Sequence, residues 1–134
     1  MKSLKKVLAL VMVFALTLSL FASAVGFTDA KDIDDNYADD VNMLVELGIL
    51  SGYPDGSFKP EGKITRAEFA KMAYVLKYGA DDKGELFSNQ KSQFKDVEGD
   101  ANVAWAKGYI NYCANQGIVS GVGNNKYNPQ GNVT

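Results

Sequence analysis

The chain has 134 residues, 46% of them hydrophobic and 22% charged, with 14 basic and 16 acidic side chains, a single cysteine and no histidine. A net charge of −2 argues against nucleic acid or an anionic membrane surface as partner, since either needs a basic face. With no histidine, no Gly-x-Ser-x-Gly elbow, no phosphate loop and no metal-ligand cluster, the usual machinery of an enzyme is missing.

The chain opens on Lys2, Lys5 and Lys6, continues with the apolar run VLALVMVFALTLSLF and reaches ASA. That order predicts a secretory signal peptide, residues 1–24, cut after Ala24. The run approaches bilayer-spanning length, but Ser19 interrupts it and the small-residue site follows at once. Cleavage removes three lysines and no acid, leaving eleven basic residues against sixteen and a net charge of −5. The 110 residues from Val25 to Thr134 suffice for one modest core, and no second spanning stretch follows, so the mature chain is expected to be exported and free of the membrane. Cys113 has no partner for an intramolecular disulfide and sits in an apolar helical pattern, which reads as buried filler.

Two stretches of the remainder match each other. Phe27 and Asp29 align with Phe94 and Asp96 at an offset of 67; after a two-residue insertion the offset becomes 69 and holds to the end. Gly48-Ile49 meets Gly117-Ile118, Ser51-Gly52 meets Ser120-Gly121, Phe58 meets Tyr127, Pro60 meets Pro129 and Thr65 meets Thr134. A gapless match through glycines, a proline and aromatics marks an internal repeat.

In the first unit, Tyr37, Val41, Leu44 and Gly48 fall at helical spacing, and Asp34, Asp35 and Asn36 offer N-cap oxygens. SGYPDGSF then places Pro54, Asp55 and Gly56 in the order of a tight turn. A second helix is predicted from TRAE, with Thr65 as N-cap and Glu68 completing a capping box. Phe69, Met72, Ala73 and Leu76 form its expected apolar face, and it fades by Tyr78-Gly79. ADDKGELFSNQKSQ, residues 80–93, is polar and aperiodic and reads as a linker. In the second unit Ala106, Ile110, Cys113 and Gly117 repeat the helical spacing, and Asn124-Asn125 suits a turn with positive φ. That unit stops at Thr134, before any second helix, which reads as a fragment or as a half completed by another chain.

The F-x-D start, the stretch GILSGYPDGSFKPEGKITRAEFAKM and Trp105-Ala106 at the head of the second unit's helix resemble the S-layer homology repeat. The resemblance divides the chain into a first repeat over 25–79, the linker 80–93 and a second repeat over 94–134 lacking its second helix. It implies an all-α fold of helix-loop-helix repeats, usually three in a pseudo-threefold bundle. It also implies non-catalytic anchoring to a cell envelope through a secondary cell-wall polysaccharide, commonly a pyruvylated one, with no cofactor. Further repeats in cis or in trans are the other implied partners. The residues it points to for the glycan are Arg66, Asp29, Asp96, Gly52, Gly121 and Trp105. Asn36 stands where the first repeat would carry the aromatic, which puts a complete set of grooves in doubt.

Read from chemistry alone, Arg66 is the only arginine, set beside the free amides of a helix start, where a carboxylate would be doubly favoured. The alternative is that it pairs with Glu68 or with an aspartate of the other repeat. Asp29 and Asp96 could equally be caps, Gly52 and Gly121 backbone requirements, and Trp105 core. The acidic run DAKDIDDNYADD lacks the glycine and terminal glutamate of a calcium loop, so a solvated, helix-capping face is expected and no metal. Paired carboxylates could serve a glycosidase, but short helices and loops offer little cleft. The remaining alternative is a self-assembly or protein-interaction module that binds no glycan.

Overall fold

The computed structural model describes residues 26–134, and the signal-peptide reading of residues 1–24 lies outside the described residues. Four α-helices occur in chain order: α1 (Asp35–Glu46), α2 (Arg66–Tyr78), α3 (Glu85–Ser88) and α4 (Lys107–Asn115). Single 3₁₀ turns precede α1 (Ala30–Asp32) and α4 (Ala104–Ala106). Among the described residues there is no strand, only the isolated bridges Thr65–Asn132 and Gly123–Lys126, so the fold is all-α.

Local signals in the sequence account for the starts of α1 and α2 and for the second turn. Asp34 caps α1 by accepting from the Asn36 amide at 2.8 Å. At α2 the capping box forms: Thr65 Oγ1 accepts from the Glu68 amide at 3.2 Å, and the Glu68 carboxylate accepts from the Thr65 amide at 2.7 Å. Both Asn124 and Asn125 take positive φ, 52° and 55°, as their turn requires.

The core lies where α2 crosses α4 and is closed by Phe94, Val97 and Tyr127 of the second unit. Ala106, Ile110 and Cys113 are fully buried, as their spacing predicts, and Cys113 Sγ donates to the Ala70 carbonyl at 3.3 Å. Burying a side chain such as Ile110 stabilises the fold by about 1.5–3 kcal/mol.

The inward face of α2 differs from expectation in part: Met72 and Ala73 pack against the core as predicted, but Phe69 and Leu76 do not. Ala67, Ala70, Tyr74 and Val75 are buried, whereas Phe69 is 39% and Leu76 71% exposed. Small side chains at Ala67 and Ala70 allow close approach to α4, and that approach rotates the helix away from its larger apolar residues. Tyr37 of α1 also turns outward, while Val41 is buried.

Residues 80–93 are built into the structure. Asp82 accepts from the Tyr74 hydroxyl and Asp81 from the Tyr109 hydroxyl, each at 2.6 Å, and Asn111 Nδ2 donates to the Phe87 and Gln90 carbonyls. The backbone of Gly84 lies directly on Gly108 of α4, so a Cβ on Gly84 would come within 2.7 Å of the Gly108 carbonyl carbon. Rings of Tyr74, Phe87 and Tyr112 meet edge-on around this junction, 4.8 Å apart for Tyr74–Tyr112 and 5.0 Å for Phe87–Tyr112.

Candidate functional site

The F-x-D aspartates organise the two turn-rich loops in the same way. Asp29 accepts from the amides of Phe58 and Lys59, both at 2.8 Å; Asp96 accepts from Tyr127 at 2.8 Å and Asn128 at 2.9 Å. The Phe58 and Lys59 amide donors hold the Asp29 carboxyl below its ordinary value. Burial pushes Asp96 up, but the Tyr127 and Asn128 amides outweigh it and its carboxyl also ends low. Each aspartate is thereby a loop anchor.

The phenylalanine two residues earlier explains the loop glycines. The Phe27 ring packs tilted against Phe58, centroids 5.2 Å apart, and Phe94 likewise against Tyr127 at 5.4 Å. A Cβ on Gly52, whose φ is +65°, would collide with the Phe27 ring; one on Gly121 would sit 2.7 Å from the Phe94 ring and 2.6 Å from the Lys126 carbonyl oxygen. Both positions must be glycine for the ring to lie against the loop.

Arg66 reaches into the other repeat, but to carbonyl oxygens rather than to a carboxylate. Its Nε donates to Tyr127 O at 2.8 Å and an Nη to Ser120 O at 2.6 Å, with the guanidinium 4.5 Å from the centre of the Tyr127 ring. The Tyr127 hydroxyl, raised by burial to about 12, donates back to Arg66 O at 2.8 Å. Nor are the first amides of α2 free, as the sequence reading supposed. Arg66 N donates to Gly131 O at 2.8 Å and Ala67 N to Pro129 O at 3.0 Å. The second loop therefore caps the helix from outside, satisfying donors that a bound anion would otherwise take.

An open cleft of about 350 Å³ lies between the first loop and α2 and is also lined by Trp105 from the second repeat. Of the sequence-predicted residues, Gly52 and Trp105 line it; Arg66, Asp29, Asp96 and Gly121 do not. Trp105 is 47% exposed, its ring 6.4 Å from that of Tyr109. The cleft's cations are Lys59 and Lys71. Lys59 Nζ sits 4.3 Å over the Tyr53 ring; Lys71 Nζ lies 3.1 Å from Ser51 Oγ and 3.3 Å from Asp81 Oδ2. Glu68 also lines the cleft, but its carboxylate is engaged in the capping box. A shallower hollow lined by Lys71, Asp81, Lys83, Trp105 and Tyr109 continues the cleft past Trp105. A half-exposed indole beside ammonium groups offers a stacking plane for a sugar ring and a counter-charge for an acidic substituent.

Lys71 was missed by the sequence reading although it lies in the stretch that carries the resemblance. Its only signal is position: it follows Ala70 on a helix whose small residues face inward, which turns Lys71 toward the first loop. Among the described residues no cluster of side chains could hold a metal ion, and no helix is long and apolar enough to cross a membrane.

Comparison with known proteins places the chain. The S-layer homology domain model matches residues 26–70 and 93–134, and the chain belongs to that family. It is 39% identical to a cell surface protein of Thermoanaerobacter kivui over 96% of this chain, and 35% identical to a cellulosome-anchoring protein of Acetivibrio thermocellus over 77% of it. A surface layer protein of Brevibacillus choshinensis is 29% identical over 99% of the chain. The chain spans only 17%, 22% and 12% of the lengths of these three relatives. No solved structure matches. Membership makes the chain a non-catalytic, cell-surface anchoring module.

Proposed function

We propose that the module anchors by binding a secondary cell-wall polysaccharide non-covalently, in the cleft between the first loop and α2. The observation that carries this reading is Trp105, half exposed beside Lys71 on a cleft whose one lining carboxylate, Glu68, is engaged in the capping box. Trp105 supplies a face for a pyranose ring, and Gly52 lets the Phe27 ring pack against the loop that walls the cleft. Lys71 and Lys59 meet an acidic group such as a pyruvate ketal. Asp29, Asp96 and Gly121 serve the ligand by fixing the loops, and Arg66 by locking the second repeat against α2. One such site is weak, and retention on a wall relies on several engaged together.

The test is co-sedimentation with purified sacculi, intact and stripped of secondary polysaccharide, using the wild type, Trp105→Ala and Lys71→Ala, each first shown to be folded by circular dichroism. The wild type is expected to pellet with intact sacculi only, and both variants to remain largely in solution. If the folded variants pellet like the wild type, the cleft is not the site. A second reading, self-assembly or protein interaction without glycan, draws on α1 and the residue that ends it, which leave Tyr37, Met43 and Leu47 63%, 58% and 62% exposed. It predicts oligomers in the absence of any wall.

A further inference from the structure

Asp81 and Asp82 stand side by side in the segment 80–93, and each does the same structural work. Asp81 Oδ1 accepts from the Tyr109 hydroxyl at 2.6 Å and the Lys83 amide at 3.1 Å. Asp82 Oδ1 accepts from the Tyr74 hydroxyl at 2.6 Å and the Gly84 amide at 3.0 Å. The two differ in the second oxygen. Asp81 Oδ2 lies 3.3 Å from Lys71 Nζ, whereas Asp82 enters no ion pair among the described residues. Burial pushes the Asp81 carboxyl up, but the Tyr109 hydroxyl, the Lys83 amide and the Lys71 ammonium outweigh it and hold it below its ordinary value.

We propose that Asp81 is a positioning residue of the glycan cleft: it holds the Lys71 ammonium beside Trp105 and leaves one N–H free for an acidic substituent. The inference rests on the glycan reading. Asp81 does not line the cleft between the first loop and α2, and both its oxygens are engaged, so it acts through Lys71 rather than on the sugar. Lysine carries a compact head with three donors on a flexible four-carbon stem, and an unheld head would sample many positions. Asp81 Oδ2 and Ser51 Oγ, 3.1 Å away, take two of the three donors and fix where the third can go. The same carboxylate holds the hydroxyl of Tyr109, whose ring lies 6.4 Å from that of Trp105, so one side chain sets both the charge and the platform.

The test compares Asp81→Asn with Asp82→Asn, each of which weakens one tyrosine–aspartate bond while only the first touches Lys71. Retention on intact sacculi is measured together with the ¹⁵N ammonium signal of Lys71, identified by its loss in Lys71→Ala, and with urea midpoints. Asp81→Asn is expected to lose the slowly exchanging Lys71 signal and to bind sacculi about 5–30-fold more weakly. Asp82→Asn is expected to keep both, with a comparable fall in urea midpoint, and Asp81→Glu to restore part of the retention. If Asp81→Asn does not fold, Asp81→Glu against Asp82→Glu makes the same comparison, with a smaller loss expected in the first only. Equal losses in the two positions overturn the inference, as does a Lys71 signal that survives Asp81→Asn. A wild type that pellets no better than Asp81→Asn from intact sacculi sinks the inference alone; a wild type that never pellets sinks the glycan reading and the inference with it.

Discussion

Replacing Arg66 with alanine separates a structural arginine from one that only binds ligand. The substitution leaves the capping box and the two backbone bonds to Gly131 and Pro129 in place, since none of them uses the Arg66 side chain. It removes the donors at 2.8 Å to Tyr127 O and 2.6 Å to Ser120 O, and the cation over the Tyr127 ring. A hydrogen bond from a charged donor contributes about 1.5–3 kcal/mol, and the lower end applies here because the Ser120 bond is exposed. Two such bonds with about 0.5 kcal/mol added for the ring give a loss of roughly 3.5 kcal/mol, a large share of the stability of a small domain. Urea unfolding read by circular dichroism and by Trp105 fluorescence measures it, and Arg66→Lys should recover no more than about 1 kcal/mol, because a single ammonium head cannot serve both carbonyls. A loss below about 0.5 kcal/mol in Arg66→Ala would refute the clamp and return the arginine to a role in ligand binding alone.

Two further outcomes test the loops. Gly52→Ala should destabilise by about 2–4 kcal/mol, combining the strain of a left-handed φ with collision against the Phe27 ring; a variant as stable as the wild type in the same urea assay would show that the ring can move aside. Because the folded carboxyls of Asp29 and Asp96 lie below their ordinary value of 3.8, their stabilisation is complete above that pH and is lost as pH falls through the lower folded values. Urea midpoints should therefore hold down to about pH 4 and then drop, and Asp96→Asn should start lower at neutral pH and drop less steeply. Parallel acid curves for the two proteins would exclude Asp96 as an anchor.

What the sequence made legible is what neighbouring residues decide together. The Thr65–Glu68 box, the Asp34 cap, the Asn124-Asn125 turn and the buried spacing of Ala106, Ile110 and Cys113 are local patterns with local causes. The buried face of α2 was only half legible: Met72 and Ala73 pack on the core, but Phe69 and Leu76 are as apolar as a core position requires and only the packing of Ala67 and Ala70 on α4 turns them outward. The partners of Arg66 were hidden for a related reason: backbone carbonyls such as Ser120 O and Tyr127 O carry no signature in a sequence, so the search for a counter-charge looked only at acids. Residues 80–93 read as a linker because tyrosine–aspartate bonds from Tyr74 and Tyr109 leave no periodicity.

These contacts also tie the candidate site to the joining of the two repeats. Trp105 packs at 6.4 Å on Tyr109, the Tyr109 hydroxyl holds Asp81, Asp81 lies 3.3 Å from Lys71, and Lys71 reaches Ser51 of the first loop at 3.1 Å. After the Trp105–Tyr109 contact within one helical segment, each link joins a different segment of the chain, so the indole and the ammonium face the same cleft only while α2 is seated against the second repeat. Arg66 fixes that seat. Under the proposed glycan reading its loss should abolish retention on sacculi by separating Trp105 from Lys71, even though the guanidinium lies outside the cleft. Lys71→Ala should abolish retention and leave inter-repeat stability nearly intact, and measuring both quantities on both variants tells a binding residue from one that holds the binding residues in place.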